Sequence, residues 1–144
     1  DLRGPAPAAA GEFARAGLAD VLSRAHVLSL HCPLSRETRN LIDATALGRM
    51  RRNAILINTA RGALVDASAL ATALTEGVIA GAGIDVLAEE PPVNGNPLLG
   101  LGLPNLIVTP HMAWAARESR QRALDEIAAN VAAFLRGERR NRID

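Results

Sequence analysis

The 144-residue sequence has one cysteine, no lysine and very few aromatic residues, which make up 2% of the chain. A single cysteine, Cys32, cannot form an internal disulfide, which favours a reducing compartment such as the cytoplasm. Because the hydrophobic content is 49% and nearly free of aromatic residues, the core must be aliphatic. All 16 basic residues are arginine, a bias that genome base composition explains better than function does.

Charge and hydropathy exclude two classes of partner. The formal net charge is +1, so no strong electrostatic field favours nucleic acid or anionic lipid. The densest basic cluster, Arg49, Arg51 and Arg52, is interpreted as solvated surface. No apolar run reaches the ~20 residues that a membrane span requires. The sequence therefore predicts no nucleic-acid partner and no membrane partner, and it suggests no metal site.

Four nearly continuous apolar runs are the candidate strands, at 26–31, 54–59, 78–86 and 106–109. Unbroken apolar runs are typical of parallel strands that are covered on both faces. Helical patterns separate most of these runs. An alternating order of strands and helices predicts an α/β fold with a parallel sheet.

Capping residues predict where the helices begin and end. Asp43 can cap a short helix, and Asp66 can cap a helix over 67–76 that Gly77 then ends. The last helix is predicted at about 115–136, where apolar residues recur with helical spacing.

A glycine-rich turn for dinucleotide binding is missing. Such a domain opens with a strand, this turn, and a helix whose N-terminus holds the pyrophosphate. The G-x-G at Gly81-Ala-Gly83 has no third glycine and no helix after it, so we interpret it as part of a buried strand. Residues 1–11 are rich in Pro, Gly and Ala and predict a loop, and the chain does not begin with Met. We expect a chain that starts partway through such a domain.

A series of short motifs then follows in one order. They are His31-Cys-Pro-Leu34, Glu37-Thr-Arg39, Ile57-Asn-Thr-Ala-Arg-Gly62, Asp85-Val86, Glu89-Glu-Pro91 and Thr109-Pro-His-Met-Ala-Trp114. This order closely resembles the C-terminal part of the NAD-binding domain of D-2-hydroxyacid dehydrogenases, over nearly the whole chain. Within that family the ending is most similar to glycerate dehydrogenases, also called hydroxypyruvate reductases.

The resemblance implies a Rossmann-type parallel sheet that is incomplete at its N-terminus. Residues 1–144 would be the C-terminal part of the dinucleotide-binding domain, without its first two strands and without the N-terminal substrate domain. In the usual strand order 3-2-1-4-5-6, we expect the absent strands to lie between the 26–31 strand and the rest. The isolated sheet would then expose unpaired edges. The full-length protein is expected to be a homodimer.

Reduction of a 2-keto acid needs a group that holds the carboxylate, a proton donor at the carbonyl oxygen, and a hydride donor. A guanidinium suits the first task because its planar fork binds carboxylate through two hydrogen bonds. Arg61 directly follows a predicted strand, where α/β folds place their ligands. The resemblance assigns Arg61 to substrate binding and carbonyl polarisation. The alternative is an ordinary surface arginine.

Histidine suits the proton donor because it titrates near neutrality. Among the three histidines, the resemblance assigns this role to His111, with Glu90 as the carboxylate that stabilises its imidazolium form. We interpret His26 as structural and expect His31 to form a hydrogen bond that shapes the turn after it. Glu89 is the alternative carboxylate and is expected to face solvent.

The resemblance implies NAD as the cofactor. Asp85 would hold the nicotinamide carboxamide. Asp1 fits the spacing of the acidic residue that binds the adenosine ribose and disfavours NADP. The alternative for Asp1 is a loop aspartate, and Arg3 nearby leaves NADP open. The other implied cofactor contacts are Cys32, Pro33, Thr59, Ala60, Arg61, His111 and Ala113.

Together these motifs predict an oxidoreductase that transfers a hydride between NAD(H) and a small 2-keto or 2-hydroxy acid, namely hydroxypyruvate or D-glycerate. Activity would require the absent N-terminal part. Two alternatives stay open at this stage. One is a non-catalytic relative that senses dinucleotide or acts as a corepressor, and the other is an inactive truncated fragment.

Overall fold

The computed structural model describes residues 16–141. The predicted loop at 1–11, with Asp1 and Arg3, lies outside the described residues. The chain divides into two compact units, with the boundary between His111 and Met112.

The first unit is built on a four-stranded parallel sheet in the order β1-β2-β3-β4. The strands are β1 Val27–Leu30, β2 Ile55–Asn58, β3 Gly81–Ile84 and β4 Leu106–Val108. The helices of this unit are α1 Leu18–Arg24, α2 Ala44–Arg49 and α3 Ala67–Thr75, with a 3-10 turn at Gly62–Leu64. The α/β class, the parallel sheet and the four predicted strands are confirmed, whereas α1 was not predicted from the sequence pattern.

Strand β1 pairs directly with β2, with Val27 opposite Ile55 and Leu30 opposite Asn58. The expectation that two further strands lie between the 26–31 strand and the rest is therefore wrong. The connection that contains α2 acts as the crossover which returns the chain to the adjacent parallel position. Further strands could join this sheet only beyond β1 or beyond β4.

The core lies on one face of the sheet. Leu28 and Leu56 from the strands join Leu22 of α1, Leu47 of α2 and Leu70 of α3 in a single buried cluster. The buried members of this cluster are all Leu, Ile, Val, Ala or Met, as the composition predicts. Burial of aliphatic side chains against one face therefore provides most of the stabilisation of this unit.

Side chains on the opposite face of the sheet are exposed. Val27 is 60% exposed, Ile55 41% and Ile107 67%, and burial alternates along β1. The expectation that the strands are covered on both faces stays a prediction. Helices α1, α2 and α3 all contribute to the cluster on the other face.

This open face leads to a prediction about the isolated chain. We expect polypeptide 1–144 to associate or to unfold without a cooperative transition, because exposed apolar side chains and unpaired strand edges favour association. Light scattering after gel filtration and a thermal melt followed by circular dichroism test this. A monomer with one sharp unfolding transition would contradict the prediction.

The helix ends have the predicted caps. A carboxylate oxygen of Asp43 accepts a hydrogen bond of 2.8 Å from an amide three residues later. The carboxylate of Asp66 accepts two at 3.0 Å, from the amides of Ser68 and Ala69. Gly77 has a φ of +68°, the left-handed conformation that commonly ends a helix. Both predicted N-caps and the predicted stop are confirmed.

The Gly81-Ala-Gly83 segment forms most of β3, as the sequence predicts. A Cβ at Gly81 would stand 2.9 Å from the carbonyl oxygen of Asn105. Glycine here allows a close backbone approach and does not form a phosphate-binding turn.

The second unit carries α4, Arg117–Leu135, within the predicted range of 115–136. Gly137 follows with a φ of +72°, and the guanidinium of Arg140 donates to the Glu126 carboxylate at 2.9 Å. None of the helices between residues 16 and 141 is both long enough and apolar enough to cross a membrane.

Candidate active site

The predicted site residues of the first unit follow the carboxyl ends of its strands. They are Cys32 and Pro33 after β1, Thr59, Ala60 and Arg61 after β2, Asp85 and Glu90 after β3, and His111 after β4. Because the strands are parallel, these ends meet at one edge of the sheet, where α/β folds bind ligands. Ala113 lies in the second unit, and Asp1 lies outside the described residues.

Glu90 and His111 form a hydrogen-bonded pair. Nδ1 of His111 lies 2.7 Å from Oε2 of Glu90, and the two side chains are 45% and 35% exposed. The amide of Leu87 donates to the other carboxylate oxygen, Oε1, at 2.6 Å. The hydrogen bond to His111, followed by that from Leu87, holds the pKa of Glu90 below its ordinary value. Glu90 is therefore an anion at neutral pH that orients the imidazole ring.

The alternative carboxylate, Glu89, has a different partner. Its two oxygens accept hydrogen bonds from the side-chain amide of Asn94, at 3.0 and 3.2 Å. The structure therefore pairs His111 with Glu90 and Glu89 with Asn94.

The backbone of His111 is held in an uncommon conformation. Its φ is +54°, a region that non-glycine residues adopt only where the surroundings fix it. Its amide donates to the carbonyl oxygens of Asp85, at 2.9 Å, and Thr109, at 3.0 Å. The hydroxyl of Thr109 donates to the buried carboxylate of Asp85. These bonds attach the His111 backbone to the end of β3.

Thr109 was not assigned a role in the sequence analysis. The available signal was its place directly after β4, in register with Asp85 directly after β3. Residues that follow neighbouring parallel strands lie side by side, so a hydroxyl and a carboxylate at these two positions can form a hydrogen bond.

Arg61 lies in the loop between β2 and the 3-10 turn. Its side chain is exposed, and Nη1 donates to the carbonyl oxygen of Ala60 at 2.6 Å. The following residue, Gly62, lies against the backbone of the β3 loop. A Cβ there would stand 2.0 Å from the carbonyl carbon of Leu87 and 2.3 Å from the amide nitrogen of Ala88. The absence of a side chain at Gly62 allows the Arg61 loop to contact the loop that carries Glu90.

We predict that Gly62→Ala destabilises the protein, because the added methyl group meets backbone atoms that cannot move independently. The free energy of unfolding should fall by about 1–3 kcal/mol, as for other overpacked sites. Gly48→Ala in α2 is the matched control, since a Cβ there meets no atom within 4 Å. It should raise stability by roughly 0.5–1 kcal/mol. Urea denaturation of the full-length protein measures both, and equal effects would refute the predicted contact.

The other predicted residues occupy less specialised positions. The thiol of Cys32 packs against the core, as does Ala60, whereas Thr59 is exposed. His31 does not form the expected bond into the turn after it. Its Nε2 lies 2.7 Å from the hydroxyl of Ser29, because alternate residues of a strand share one face.

Comparison with known proteins decides the family. Residues 3–113 match the family described as the D-isomer specific 2-hydroxyacid dehydrogenase, NAD binding domain. The chain belongs to this family. The resemblance found in the sequence motifs is therefore confirmed.

Individual relatives agree with this assignment. The chain is 50% identical over 135 residues to a glycerate dehydrogenase of Methylorubrum extorquens, covering 92% of this chain and 43% of that protein. It is 47% identical over 121 residues to a glyoxylate reductase of Korarchaeum cryptofilum, covering 84% of this chain and 36% of that protein. A crystal structure of D-lactate dehydrogenase with NAD⁺ from Lactobacillus jensenii is 35% identical with a TM-score of 0.77, covering 90% of this chain and 42% of that structure. The chain thus spans roughly two fifths of the length of these relatives.

Proposed function

We propose that this chain is the C-terminal part of the NAD-binding domain of an enzyme that interconverts a small 2-keto acid and its D-2-hydroxy acid. The observation that carries the proposal is the His111–Glu90 pair at 2.7 Å, at the sheet edge that also carries Arg61. Hydroxypyruvate and D-glycerate are the proposed substrate pair, because the relative at 50% identity is a glycerate dehydrogenase. Glyoxylate is the second candidate, supported by the reductase at 47% identity.

The proposed cofactor is NAD, and the residues at the sheet edge fit it. Asp85 is 4% exposed, and its carboxylate accepts the Thr109 hydroxyl. A carboxylate fixed in this way suits an amide donor such as the nicotinamide carboxamide. Exposed Thr59 and half-buried Ala60 follow β2, the strand that pairs with β3. When bound, NADH supplies the hydride.

Three side chains would perform the remaining tasks. The guanidinium of Arg61 binds the substrate carboxylate and polarises the neighbouring carbonyl group. His111 donates a proton to the carbonyl oxygen through Nε2, since Nδ1 is bonded to Glu90. In the oxidative direction neutral His111 accepts that proton. Glu90 remains ionised throughout and orients the ring.

Steady-state kinetics of the full-length protein test this function against a non-catalytic sensor of dinucleotide. We expect turnover with hydroxypyruvate and with glyoxylate, with the higher kcat/KM for hydroxypyruvate and NADH preferred over NADPH. Binding of NADH without turnover of either keto acid would favour the sensor. A preference for NADPH would remove Asp1 from the proposed ribose site.

We predict that Glu90→Gln shifts the pH dependence of catalysis. Nδ1 of His111 lies 2.7 Å from the Glu90 carboxylate, and an anion at this distance favours the protonated form of the ring. Keto-acid reduction requires protonated His111, so the alkaline limb of kcat/KM should move to lower pH in Glu90→Gln. The acidic limb of the oxidative reaction should move the same way, as expected for one coupled group.

Glu89→Gln is the control, since the Glu89 carboxylate is bonded to Asn94. Its pH profile should match that of the unmodified enzyme. If Glu90→Gln lowers the rate without moving either limb, Glu90 only orients the ring. A shift in Glu89→Gln alone would identify Glu89 as the partner of His111.

A further inference from the structure

Asn58, the last residue of β2, is completely buried and carries a polar side chain. Its Nδ2 donates to the carbonyl oxygen of Arg61 at 2.9 Å, and its Oδ1 accepts from the amide of Ala60 at 3.1 Å. Both ends of the side-chain amide therefore bond to the backbone of the loop that carries Arg61. The sequence motifs alone indicate no role for Asn58.

These two bonds hold the loop in one conformation. A buried amide without partners is costly, so the side chain is stable in this position only while the loop satisfies both its donor and its acceptor. Conversely, the two hydrogen bonds fix the backbone of the loop at Ala60 and Arg61, while the Arg61 side chain is exposed. The guanidinium can still move about its side-chain torsions, whereas its Cα is held relative to β2.

The backbone connects this anchor, meaning the two side-chain hydrogen bonds of Asn58, to the loop that carries Glu90. The Asp85 amide donates to the Asn58 carbonyl oxygen at 2.9 Å, which joins the ends of β2 and β3. The Gly62 backbone rests on Leu87, and the Leu87 amide holds the Glu90 carboxylate. The Arg61 loop and the Glu90 loop are therefore joined at two points, by the Asp85–Asn58 hydrogen bond and by the contact of Gly62 with Leu87.

We propose that Asn58 is a positioning residue whose side-chain amide places Arg61 against the substrate carboxylate. The proposal rests on the function proposed above. It acts through the Arg61 backbone, because Nδ2 of Asn58 donates to the carbonyl oxygen of Arg61. The second bond, from the Ala60 amide to Oδ1, holds a residue that is also an implied cofactor contact.

Hydrogen exchange in the full-length protein tests the anchor without reference to activity. In Asn58→Ala the Ala60 amide loses its acceptor, so its exchange should accelerate about 10-fold, the typical effect of one hydrogen bond. Exchange within 54–57 should stay slow. Asn105→Ala is the matched control. This substitution also removes a hydrogen bond from an asparagine side chain to a backbone carbonyl, that of Leu74. Asn105 precedes β4 and therefore lies away from the carboxyl ends of the strands.

A double-mutant cycle tests the positioning role. Asn58→Ala should lower kcat/KM for the keto acid about 10-fold when Arg61 is present. In an Arg61→Ala background the same change should have an effect of less than about 2-fold, because the group being positioned has been removed. Affinity for NADH, measured in both backgrounds, reports on the Ala60 backbone, and a loss of affinity larger than the loss of kcat/KM would overturn the assignment to Arg61. Asn58→Ser, whose shorter side chain cannot reach both the Ala60 amide and the Arg61 carbonyl oxygen, provides a second variant if Asn58→Ala does not fold.

The outcomes separate the two proposals. Unchanged exchange at Ala60 in Asn58→Ala would overturn the anchor. Equal losses of kcat/KM with and without Arg61 would overturn the positioning role and indicate a general loss of stability. An unmodified enzyme that reduces no 2-keto acid would overturn the proposed function, while the exchange result would still decide whether Asn58 holds the loop.

Discussion

Replacement of His111 by asparagine should lower kcat/KM for keto-acid reduction by roughly 100- to 10 000-fold in the full-length enzyme, the usual range for loss of a general acid. The amide of asparagine cannot release a proton to the substrate. The loss should appear mainly in kcat, because the proton is donated in the transition state. Stopped-flow and steady-state rates at saturating NADH measure it.

Asparagine is the appropriate replacement because of the backbone at this position. His111 has a φ of +54°, and asparagine adopts positive φ several-fold more readily than most residues. An alanine would combine loss of the proton donor with backbone strain. The asparagine amide can also donate to Glu90, so the Glu90 loop should keep its conformation. Binding of NADH, measured by fluorescence, should change little.

His26→Gln is the control for the loss of a histidine as such. His26 precedes β1, at the opposite end of that strand from the site, and we expect its effect on kcat/KM to stay within about 2-fold. A His111→Asn enzyme with nearly normal kcat would show that another group donates the proton. Comparable losses in the two variants would show that the loss of activity is not specific to His111.

The sequence predicts the features of this fold that depend on local patterns. Apolar runs locate all four strands, and the Asp43 and Asp66 caps locate α2 and α3 to within a residue at their start. These signals are local because a strand or a helix cap depends on residues that are close together in the chain. The motif order assigned Glu90 as the partner of His111, with Glu89 as the alternative, and the structure places the Glu90 carboxylate 2.7 Å from Nδ1 of His111.

Strand order depends on contacts between distant segments, and the neighbour of the 26–31 strand was predicted wrongly. The run at 26–31 has the same composition whether it pairs with the 54–59 run or with another strand, so periodicity cannot assign its neighbour. An apolar run also does not show whether one face or both are covered. Val27 and Ile55 are as hydrophobic as buried strand residues, yet they are 60% and 41% exposed.

The supporting residues of the site were missed for a related reason. Asn58 and Thr109 each look unremarkable in a motif, because their partners become neighbours only when parallel strands end side by side. Gly62 gives no signal of its close approach to Leu87, since that contact joins loops after different strands. A polar residue at the end of an otherwise apolar strand is the one general clue, and it applies to both Asn58 and Thr109.

Replacement of Arg61 by alanine should lower kcat/KM for the keto acid about 100-fold, because the substrate carboxylate loses a charged, two-point hydrogen-bonding partner. Arg61→Lys should still lose at least ~10-fold, since lysine keeps the charge but not the planar fork. Binding of NADH should change little in either variant. Arg49→Lys, at an exposed position that ends α2, is the matched control and should behave as the unmodified enzyme.

A substrate analogue shows whether Arg61 acts on the carboxylate. The unmodified enzyme should discriminate strongly against the primary amide of the same keto acid, because the amide carries no negative charge for the guanidinium to bind. In Arg61→Ala most of this discrimination should disappear, with the acid losing far more activity than the amide. If the acid and the amide lose the same factor, Arg61 contributes to stability or to carbonyl polarisation, and the carboxylate is bound by another group. A large change in the NADH dissociation constant would instead place Arg61 at the cofactor.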